Sequence, residues 1–212
     1  MRPGRLLVPG WRLIDETGHH SQLIFVGYPH TSRWDFALTQ AVRLATGRRL
    51  LTLVTESEFV GVRRWMLRLL GCRPLPLQGG AGTVDRLVRF MAIHPSTSLA
   101  LCPEGRIEWS PHWRTGYFIL GLVTGIPVSY VTFDYARRVV TLGSPVQVVG
   151  DPVIDLAYAA RALRAGHGFR PGDAGRVMFS EAWKVDLERL QAQQLLWDAT
   201  RNGFRGSGPQ PG

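Results

Sequence analysis

Apolar residues fall into two kinds of block over the first three quarters of the chain. Short segments rich in apolar residues, which are typical of buried strands, occupy residues 22–28, 49–55, 98–102 and 127–133. Segments with apolar positions at helical spacing alternate with them and predict helices over residues 34–46, 58–70, 83–94 and 115–124. Because strands and helices alternate, we predict an α/β fold with a mostly parallel central sheet flanked by helices.

The remaining segments extend this prediction to the rest of the chain. Residues 138–142 and 146–149 predict a hairpin or edge pair, residues 155–165 and 174–200 predict C-terminal helices, and Leu75 and Leu77 lie in a short extended piece. At 212 residues the chain is about one and a half times a typical domain length. We therefore expect a single domain over residues 1–200 and a disordered tail over residues 201–212, which are mostly Gly, Pro and polar.

The charge balance points to anionic partners. Lys and Arg number 25 against 16 Asp and Glu, so the net charge is +9, and Lys184 is the only lysine. Membrane phospholipid, nucleic acid or a phosphate-bearing substrate would each match this charge. No apolar run approaches the roughly 20 residues of a membrane-spanning helix, so a protein of this sequence that acts on lipid would do so from the aqueous side.

One polar segment, directly after the strand predicted over residues 22–28, contains candidate catalytic residues. It reads Pro29-His30-Thr31-Ser32-Arg33-Trp34-Asp35, with the carboxylate five positions after the imidazole. At this spacing Asp35 can accept the Nδ1 proton of His30 and leave Nε2 to take a proton from a substrate hydroxyl. The alternative is a loop histidine beside an acid that favours the first turn of a helix.

A second segment, Cys102-Pro103-Glu104-Gly105-Arg106, follows a later strand. The proline stops the strand, Gly105 permits a tight turn with outward N–H groups, and Glu104 and Arg106 offer an acceptor and a donor to a polar head group. An ordinary turn is the alternative. Cys102 raises the idea of a catalytic thiol, but we expect a packing role, which is the usual one for a cysteine at the end of a buried strand.

These two segments, taken in order with Gly125-Ile126-Pro127-Val128, resemble the motifs of the glycerophospholipid acyltransferase family, which includes 1-acylglycerol-3-phosphate acyltransferases. The resemblance is closest to a short branch of bacterial lysophospholipid-acyltransferase-like proteins. In that branch the first motif typically reads Pro-His-Thr-Ser-Asn-Trp-Asp, and here Arg33 stands in place of the asparagine. Trp113-Arg114-Thr115-Gly116 and Phe133-Asp134-Tyr135-Ala136-Arg137 are also similar to that branch, and the likeness runs over residues 26–143.

The resemblance implies a glycerol-3-phosphate acyltransferase-like fold and a role in phospholipid metabolism. It implies transfer of a fatty acyl group from a coenzyme A or acyl carrier protein thioester to a hydroxyl of a lysolipid or related lipid acceptor. His30 would be the general base of this His-x4-Asp motif, and Asp35 would orient its ring. The acceptor oxygen would attack the thioester directly, with no acyl-enzyme and no cofactor beyond the acyl thioester co-substrate.

Two positions depart from the family pattern. Members that use a glycerol-phosphate acceptor commonly carry arginines where this chain has Leu77 and Ile107. Either Arg106 and Arg73 replace this phosphate clamp, or the acceptor is not a simple phosphate monoester; a lysophospholipid with a larger head group, a glycolipid or an amino-acid lipid would then be compatible. The candidate substrate-binding residues are Glu104, Gly105, Arg106, Arg73 and Arg33.

Residues 59–70 mix apolar and basic positions. An interfacial helix of this composition would rest its aromatic side in acyl chains while its arginines meet the phosphates of an anionic membrane. The alternative is an amphipathic helix packed on the sheet with its arginines in water. The first interpretation makes the protein cytoplasmic and peripheral on the inner face of the cell membrane. The candidate membrane-contact residues are Phe59, Arg63, Arg64, Trp65 and Arg68.

Two other functions compete with acyl transfer. A non-catalytic lipid- or membrane-binding protein would keep the fold, and the missing arginines leave this open, although pure binding needs no base and orienter. Nucleic-acid binding would match the charge, but the sequence has no recognisable motif for it, so we expect no nucleic-acid partner. We expect no metal site, since His19 and His20 have no carboxylate at ligand spacing and Cys72 and Cys102 form no CxxC pair.

Overall fold

The structure is a computed structural model that describes residues 4–75, 81–164, 166–179 and 187–206. The strands are β1 Gly4–Arg5, β2 Arg12–Asp15, β3 Ile24–Tyr28, β4 Arg49–Thr55, β5 Cys72–Leu75, β6 Thr97–Leu101, β7 Val128–Asp134 and β8 Val139–Leu142. The helices are α1 Trp34–Thr46, α2 Gly61–Leu69, α3 Ala81–Ile93, α4 Gly116–Thr124, α5 Pro152–Ala162 and α6 Leu187–Gly206, with 3₁₀ turns at Glu56–Glu58 and Pro171–Asp173.

The described strands form one eight-stranded sheet in the order β1-β2-β8-β7-β3-β6-β4-β5. The β1–β2 and β7–β8 pairs are antiparallel and the other five pairs are parallel. The prediction of an α/β fold with a mostly parallel sheet is therefore confirmed. Since β3 lies between two parallel neighbours, β6 and β7, the carboxyl ends of these three strands meet at one edge of the sheet, where α/β proteins place their binding sites.

Alternating side chains of the central strands fill two apolar cores. Ile24 and Val26 of β3 pack with residues of α3, α4, α5 and α6, whereas Phe25 packs with Leu38 and Val42 of α1. Successive residues of a strand point to opposite faces of the sheet, so a strand covered on both faces is apolar at consecutive positions. This explains why β3 is an almost continuous apolar run and why β7 is buried at every position.

The predicted hairpin between residues 138–142 and 146–149 is wrong. β8 lies between β2 and β7, so both of its edges are already paired. Val146 instead forms an isolated bridge with Val128, in which each backbone N–H donates to the other residue's carbonyl, at 2.9 and 2.8 Å respectively. The sequence did not indicate β2, because a strand of four residues is too short to show a period.

The C-terminal part of the chain also differs from the prediction. Residues 174–179 are not helical, and Phe179 forms a parallel bridge with Trp113. The final helix, α6, then continues to Gly206, so the disordered tail predicted from residue 201 is wrong over 201–206. The rest of that tail, residues 207–212, lies outside the described residues.

Candidate active site

His30 and Asp35 meet at the carboxyl end of β3. The strand ends at Tyr28, α1 begins at Trp34, and Nδ1 of His30 lies 3.0 Å from Oδ2 of Asp35. An ionised carboxylate can only accept a hydrogen bond, so the imidazole proton of a neutral His30 belongs on Nδ1 and Nε2 keeps its lone pair. The structure thus brings together the two residues expected to be catalytic, in the geometry that a general base requires.

Four donors converge on Asp35, whose side chain is 1% exposed. Besides the His30 ring, Oδ2 accepts the backbone N–H groups of Thr31 and Ser32, each at 3.0 Å. The other oxygen, Oδ1, accepts the Tyr135 hydroxyl at 2.5 Å. Hydrogen bonds to an ionised acceptor are about twice as strong as neutral ones. These contacts fix the carboxylate in the orientation that pairs with the imidazole.

Tyr135 is a site residue that sequence reasoning did not assign. It follows β7 directly, and β7 is a parallel neighbour of β3. Burial, together with the hydrogen bond to Asp35 and the charge of that carboxylate, raises the pKa of the Tyr135 hydroxyl. The hydroxyl therefore remains a donor at neutral pH. Its position just after a strand was the available signal, but the sequence does not reveal that β7 lies beside β3.

Glu104 supports the site through contacts with the backbone, and its carboxylate is buried and not open to a ligand. Its side chain is 2% exposed, Oε2 accepts the backbone N–H of His30 at 2.6 Å, and Oε1 accepts the N–H of Gly175 at 2.6 Å. Burial raises the pKa of Glu104, although these two hydrogen bonds act in the opposite direction. The expected role in head-group binding is corrected: Glu104 holds the His30 backbone in place.

Gly105 occupies the left-handed backbone region with φ of 70°. A Cβ at this position would collide with the Arg114 side chain, which packs across it. A glycine is therefore needed for two reasons, backbone conformation and space. The predicted tight turn is present, and Gly105 lies at the rim of the cavity described next.

A cavity of about 420 Å³ lies between the sheet, α1 and α2, with His30 and Asp35 at one end. It lies on the face of the sheet that α1 covers, beside the apolar core that contains Phe25 and Val42. Its walls are mostly apolar, which suits a hydrocarbon chain. Apolar lining residues from the sheet and helices are Phe25, Val42, Leu50, Ala100, Val131, Phe133, Leu142, Met66 and Leu67.

The predicted arginines divide into two groups. Arg33 and Arg106 line the cavity and are exposed, and Arg33 also reaches Glu58 at 3.5 Å. Arg73 lies on β5 at the edge of the sheet and is not among the described residues that line the cavity. The role of Arg73 in substrate binding stays a prediction, since the structure does not place it with the other predicted arginines. Ile107 lines the cavity, and Leu77 lies outside the described residues.

The His30 side chain is 21% exposed and is paired with the Asp35 carboxyl. Burial lowers the pKa of His30, but charge interaction with Cys102 and the hydrogen bonds to Asp35 and Cys102 favour the protonated ring, so the net pKa is raised well above its ordinary value. The imidazolium formed during general-base catalysis is thereby stabilised.

The helix α2 exposes an apolar surface to solvent. Val62, Trp65 and Leu69 are 85, 72 and 85% exposed, and Leu67 is the helix's buried residue. Exposed apolar residues at helical spacing are unusual on a soluble protein and mark a contact surface. The helix also packs beside β5 and buries Leu67, so it combines an exposed apolar surface with a contact to the sheet. We refer to Val62, Trp65 and Leu69 as the α2 surface.

Arginines accompany the α2 surface. Arg64 and Arg68 are exposed, and neither forms an ion pair with another described residue. Arg63 is exposed too, but it pairs with Glu58. Of the predicted membrane-contact residues only Phe59 is partly buried. Basic and apolar side chains thus share one exposed helix.

Within the described ranges, no helix is both long and apolar enough to cross a lipid bilayer. The same residues contain no group of three or more His, Cys, Asp or Glu side chains that could hold a metal ion. Comparisons with protein-family models, with curated proteins and with solved structures found no match to this chain.

Proposed function

We propose that the protein is an acyltransferase that moves a fatty acyl group from an acyl thioester to a hydroxyl of a lysolipid or related lipid acceptor. The observation that carries the proposal is the hydrogen bond between His30 Nδ1 and Asp35, two residues that line a mostly apolar cavity. The cavity suits an acyl chain, and the pair suits an alcohol that must lose a proton. The resemblance of the sequence motifs to those of glycerophospholipid acyltransferases agrees with both.

In the transfer step, His30 is the general base. Its Nε2 takes the proton of the acceptor hydroxyl as the oxygen attacks the carbonyl of the acyl thioester, and the resulting imidazolium gives that proton to the departing thiolate. Asp35 keeps the ring oriented and stabilises the imidazolium. General-base assistance of this kind contributes about 10²- to 10⁴-fold to the rate.

The acceptor head group would lie at the cavity rim. Arg106 is exposed there and, among described residues, takes part in no ion pair. A guanidinium presents a fork of donors that matches a phosphate. We infer that Arg106 is the first contact of a phosphate-bearing head group, with Arg33 second because it is shared with Glu58.

The α2 surface would bring the site to its lipid substrates. Trp65 and its apolar neighbours would enter the acyl-chain boundary of an anionic membrane while Arg64 and Arg68 meet lipid phosphates. Because α2 also lines the cavity through Met66 and Leu67, an acyl chain could pass from the membrane into the cavity along this helix. We propose a cytoplasmic protein bound peripherally to the inner face of the cell membrane.

The test is a transfer assay with purified full-length protein. Radiolabelled palmitoyl-coenzyme A or palmitoyl-acyl carrier protein is incubated with a panel of lysophospholipids, glycolipids and amino-acid lipids, and acylated product is separated by thin-layer chromatography. We expect product with wild type, a loss of about 10²- to 10⁴-fold in His30→Ala, and no loss in His19→Ala, whose side chain is exposed and does not line the cavity.

Two results would overturn the proposal. Equal turnover by His30→Ala and wild type would remove His30 as the base. Binding of vesicles without turnover of any donor and acceptor would favour the competing function, a non-catalytic lipid-binding protein that uses the cavity and the α2 surface alone.

A further inference from the structure

The cavity reaches both edges of the sheet. Its lining includes His30 and Gly105, which follow the carboxyl ends of β3 and β6, and Arg48, which precedes the amino end of β4. Because β3, β4 and β6 are parallel, Arg48 and His30 lie at opposite edges of the sheet. A strand of five residues, such as β3, is about 16 Å long. The cavity therefore extends along the strands over about this distance.

Three neighbouring strands form the floor of the cavity near its amino end. Phe25 of β3, Ala100 of β6 and Thr52 of β4 stand side by side in register, and all three line the cavity. Phe25 is the second residue of its strand, so this row lies close to the amino edge of the sheet. A chain that enters beside His30 passes this row last, just before it reaches Arg48.

The side chain of Arg48 stands across the amino end of the cavity. It extends from the turn between α1 and β4 to the loop between β2 and β3. There Nη1 donates to the His20 carbonyl at 2.8 Å, and Nη2 donates to the Thr17 hydroxyl at 2.7 Å and to the Gly18 carbonyl at 3.1 Å. The guanidinium carbon lies 5.9 Å from the centre of the Phe25 ring. Three hydrogen bonds thus hold a charged group at the end of a mostly apolar cavity.

A guanidinium in this place opposes the entry of further hydrocarbon. Each methylene group that enters the cavity is stabilised by burial until the chain reaches Arg48. A longer chain must displace the guanidinium from its hydrogen bonds, and the loss of hydrogen bonds to a charged group outweighs the burial of one methylene. The cavity therefore has a defined end for an alkyl chain.

We propose that Arg48 is a specificity-determining residue that limits the length of the acyl chain the protein accepts. The inference rests on the proposed function, in which the cavity holds the transferred acyl chain, and it adds the class of donor: thioesters whose chain ends before Arg48. The residue acts on binding of the chain and takes no part in the transfer step.

Substitutions at two places should shift the chain-length preference in opposite directions. Arg48→Ala removes the guanidinium, so longer chains should be accepted; Arg48→Gln, which is shorter than arginine but keeps a donor for the loop, should act in the same direction. Ala100→Leu fills the cavity beside Phe25 and should favour shorter chains. The matched control is Arg49→Ala, since Arg49 is the next residue, is exposed and does not line the cavity.

The first measurement is kcat/KM with the coenzyme A thioesters of lauric, myristic, palmitic and stearic acid and one lysolipid acceptor. Successive members of this series differ by two methylene groups, whose burial is worth about 10-fold in binding. For the first thioester that is too long for wild type, Arg48→Ala should raise kcat/KM relative to the preferred thioester by about 10-fold. Arg49→Ala should keep the wild-type ratio. Such ratios do not depend on the folded fraction of a variant.

The second measurement needs no turnover. Isothermal titration calorimetry with the free fatty acids of the same four lengths gives their Kd values for the full-length protein. Wild type should gain affinity with each added pair of methylene groups only up to the length that reaches Arg48. In Arg48→Ala the gain should continue to longer chains, and in Ala100→Leu it should stop earlier.

The outcomes separate this proposal from the proposed function. Length profiles that are the same in wild type, Arg48→Ala and Arg48→Gln would overturn the role of Arg48, and any transfer observed would leave the acyltransferase standing. An equal shift in Arg49→Ala would also overturn that role. A shift in fatty-acid affinity confined to the Arg48 variants, without transfer by wild type, would support Arg48 and overturn acyl transfer. The absence of both fatty-acid binding and transfer would overturn both.

Discussion

The hydroxyl of Tyr135 donates a 2.5 Å hydrogen bond to Oδ1 of Asp35, from a position 100 residues further along the chain. The opposite oxygen of the same carboxylate faces the His30 ring. Tyr135 therefore reaches the imidazole only through Asp35, and it does not line the cavity. It is a positioning residue, and its loss should affect the chemical step more than substrate binding.

The Tyr135→Phe variant tests this relationship. A hydrogen bond to a charged group contributes about 1.5–3 kcal/mol, so we expect kcat to fall by about 10- to 100-fold while KM for the acceptor stays constant. Steady-state kinetics with the best acceptor provides the measurement. Tyr158→Phe is the control, since Tyr158 is 45% exposed and lies on α5. A rise in KM with unchanged kcat would contradict the positioning role.

Glu104 should matter for stability as well as for activity. In Glu104→Gln the amide nitrogen would face either the His30 or the Gly175 N–H, so one buried donor loses its acceptor. An unsatisfied buried group costs about 1–3 kcal/mol, and His30 would shift from its place beside Asp35. We expect a lower free energy of unfolding in denaturant titration together with a lower kcat. Glu56→Gln, at an exposed residue, should change neither; a fully stable and active Glu104→Gln would refute the supporting role.

The central pairing of the site could be predicted from sequence because it is local. His30 lies in the loop after β3 and Asp35, five positions later, lies in the first turn of α1. The periods of the two flanking segments predict this strand and this helix. The alternation of these segments also sufficed for the fold class. The residues that form a turn or begin a helix are neighbours in the sequence, so a short segment is enough to predict either.

The supporting contacts could not be predicted because they depend on which strands are neighbours. The sequence shows that Glu104 follows a strand, but it does not show that the backbone N–H of Gly175, 71 residues later, donates to it. Without that contact, a buried carboxylate whose hydrogen bonds are all made within the protein cannot be distinguished from one that binds a ligand. Likewise the place of Tyr135 follows from β7 lying beside β3. Pairings across such distances are set by the packing of the whole sheet.

The raised pKa of His30 predicts how stability depends on pH. A histidine whose pKa is higher in the folded than in the unfolded protein stabilises the fold when protonated, so its contribution is complete below the unfolded pKa of about 6.5 and is lost as pH rises through the raised value. The stability of wild type relative to His30→Gln should therefore decrease as pH rises above about 6.5, until the ring of the folded protein is deprotonated. Chemical denaturation at several pH values measures this difference.

His19→Gln serves as the control for that series, because His19 is exposed. Its stability relative to wild type should not change with pH over the same range. A constant difference between wild type and His30→Gln would mean that the attraction of Asp35 and Cys102 does not outweigh the burial of the ring.

Substitution of Arg106 and of Arg73 should affect acceptor binding differently, although the sequence predicts both to be substrate-binding residues. Arg106 lines the cavity and Arg73 is not among its described lining residues. Loss of a guanidinium–phosphate contact costs about 1.5–3 kcal/mol, so Arg106→Ala should raise KM for a phosphate-bearing acceptor by about 10- to 100-fold with little change for an uncharged acceptor. Arg73→Ala should match wild type in both assays. Equal KM values for Arg106→Ala and wild type would remove Arg106 from the head-group site.

The α2 surface predicts binding to anionic membranes that depends on both charge and apolar area. Each arginine near an anionic surface contributes about 1 kcal/mol, so Arg64→Ala/Arg68→Ala should weaken binding to phosphatidylglycerol-containing vesicles by about 30-fold. Added salt should reduce wild-type binding toward the variant's value. Co-sedimentation with vesicles of graded anionic content measures both effects.

The matched control for charge is Arg161→Ala/Arg164→Ala, which removes two exposed arginines at the end of α5. It changes the net charge by the same amount, so any difference in vesicle binding between the two double variants results from where the arginines lie. Trp65→Ala tests the apolar part: it should weaken binding at every salt concentration, because burial of an aromatic ring is not screened by ions. If both double variants lost the same affinity, the attraction would come from the overall charge of +9 and α2 would not be the docking surface.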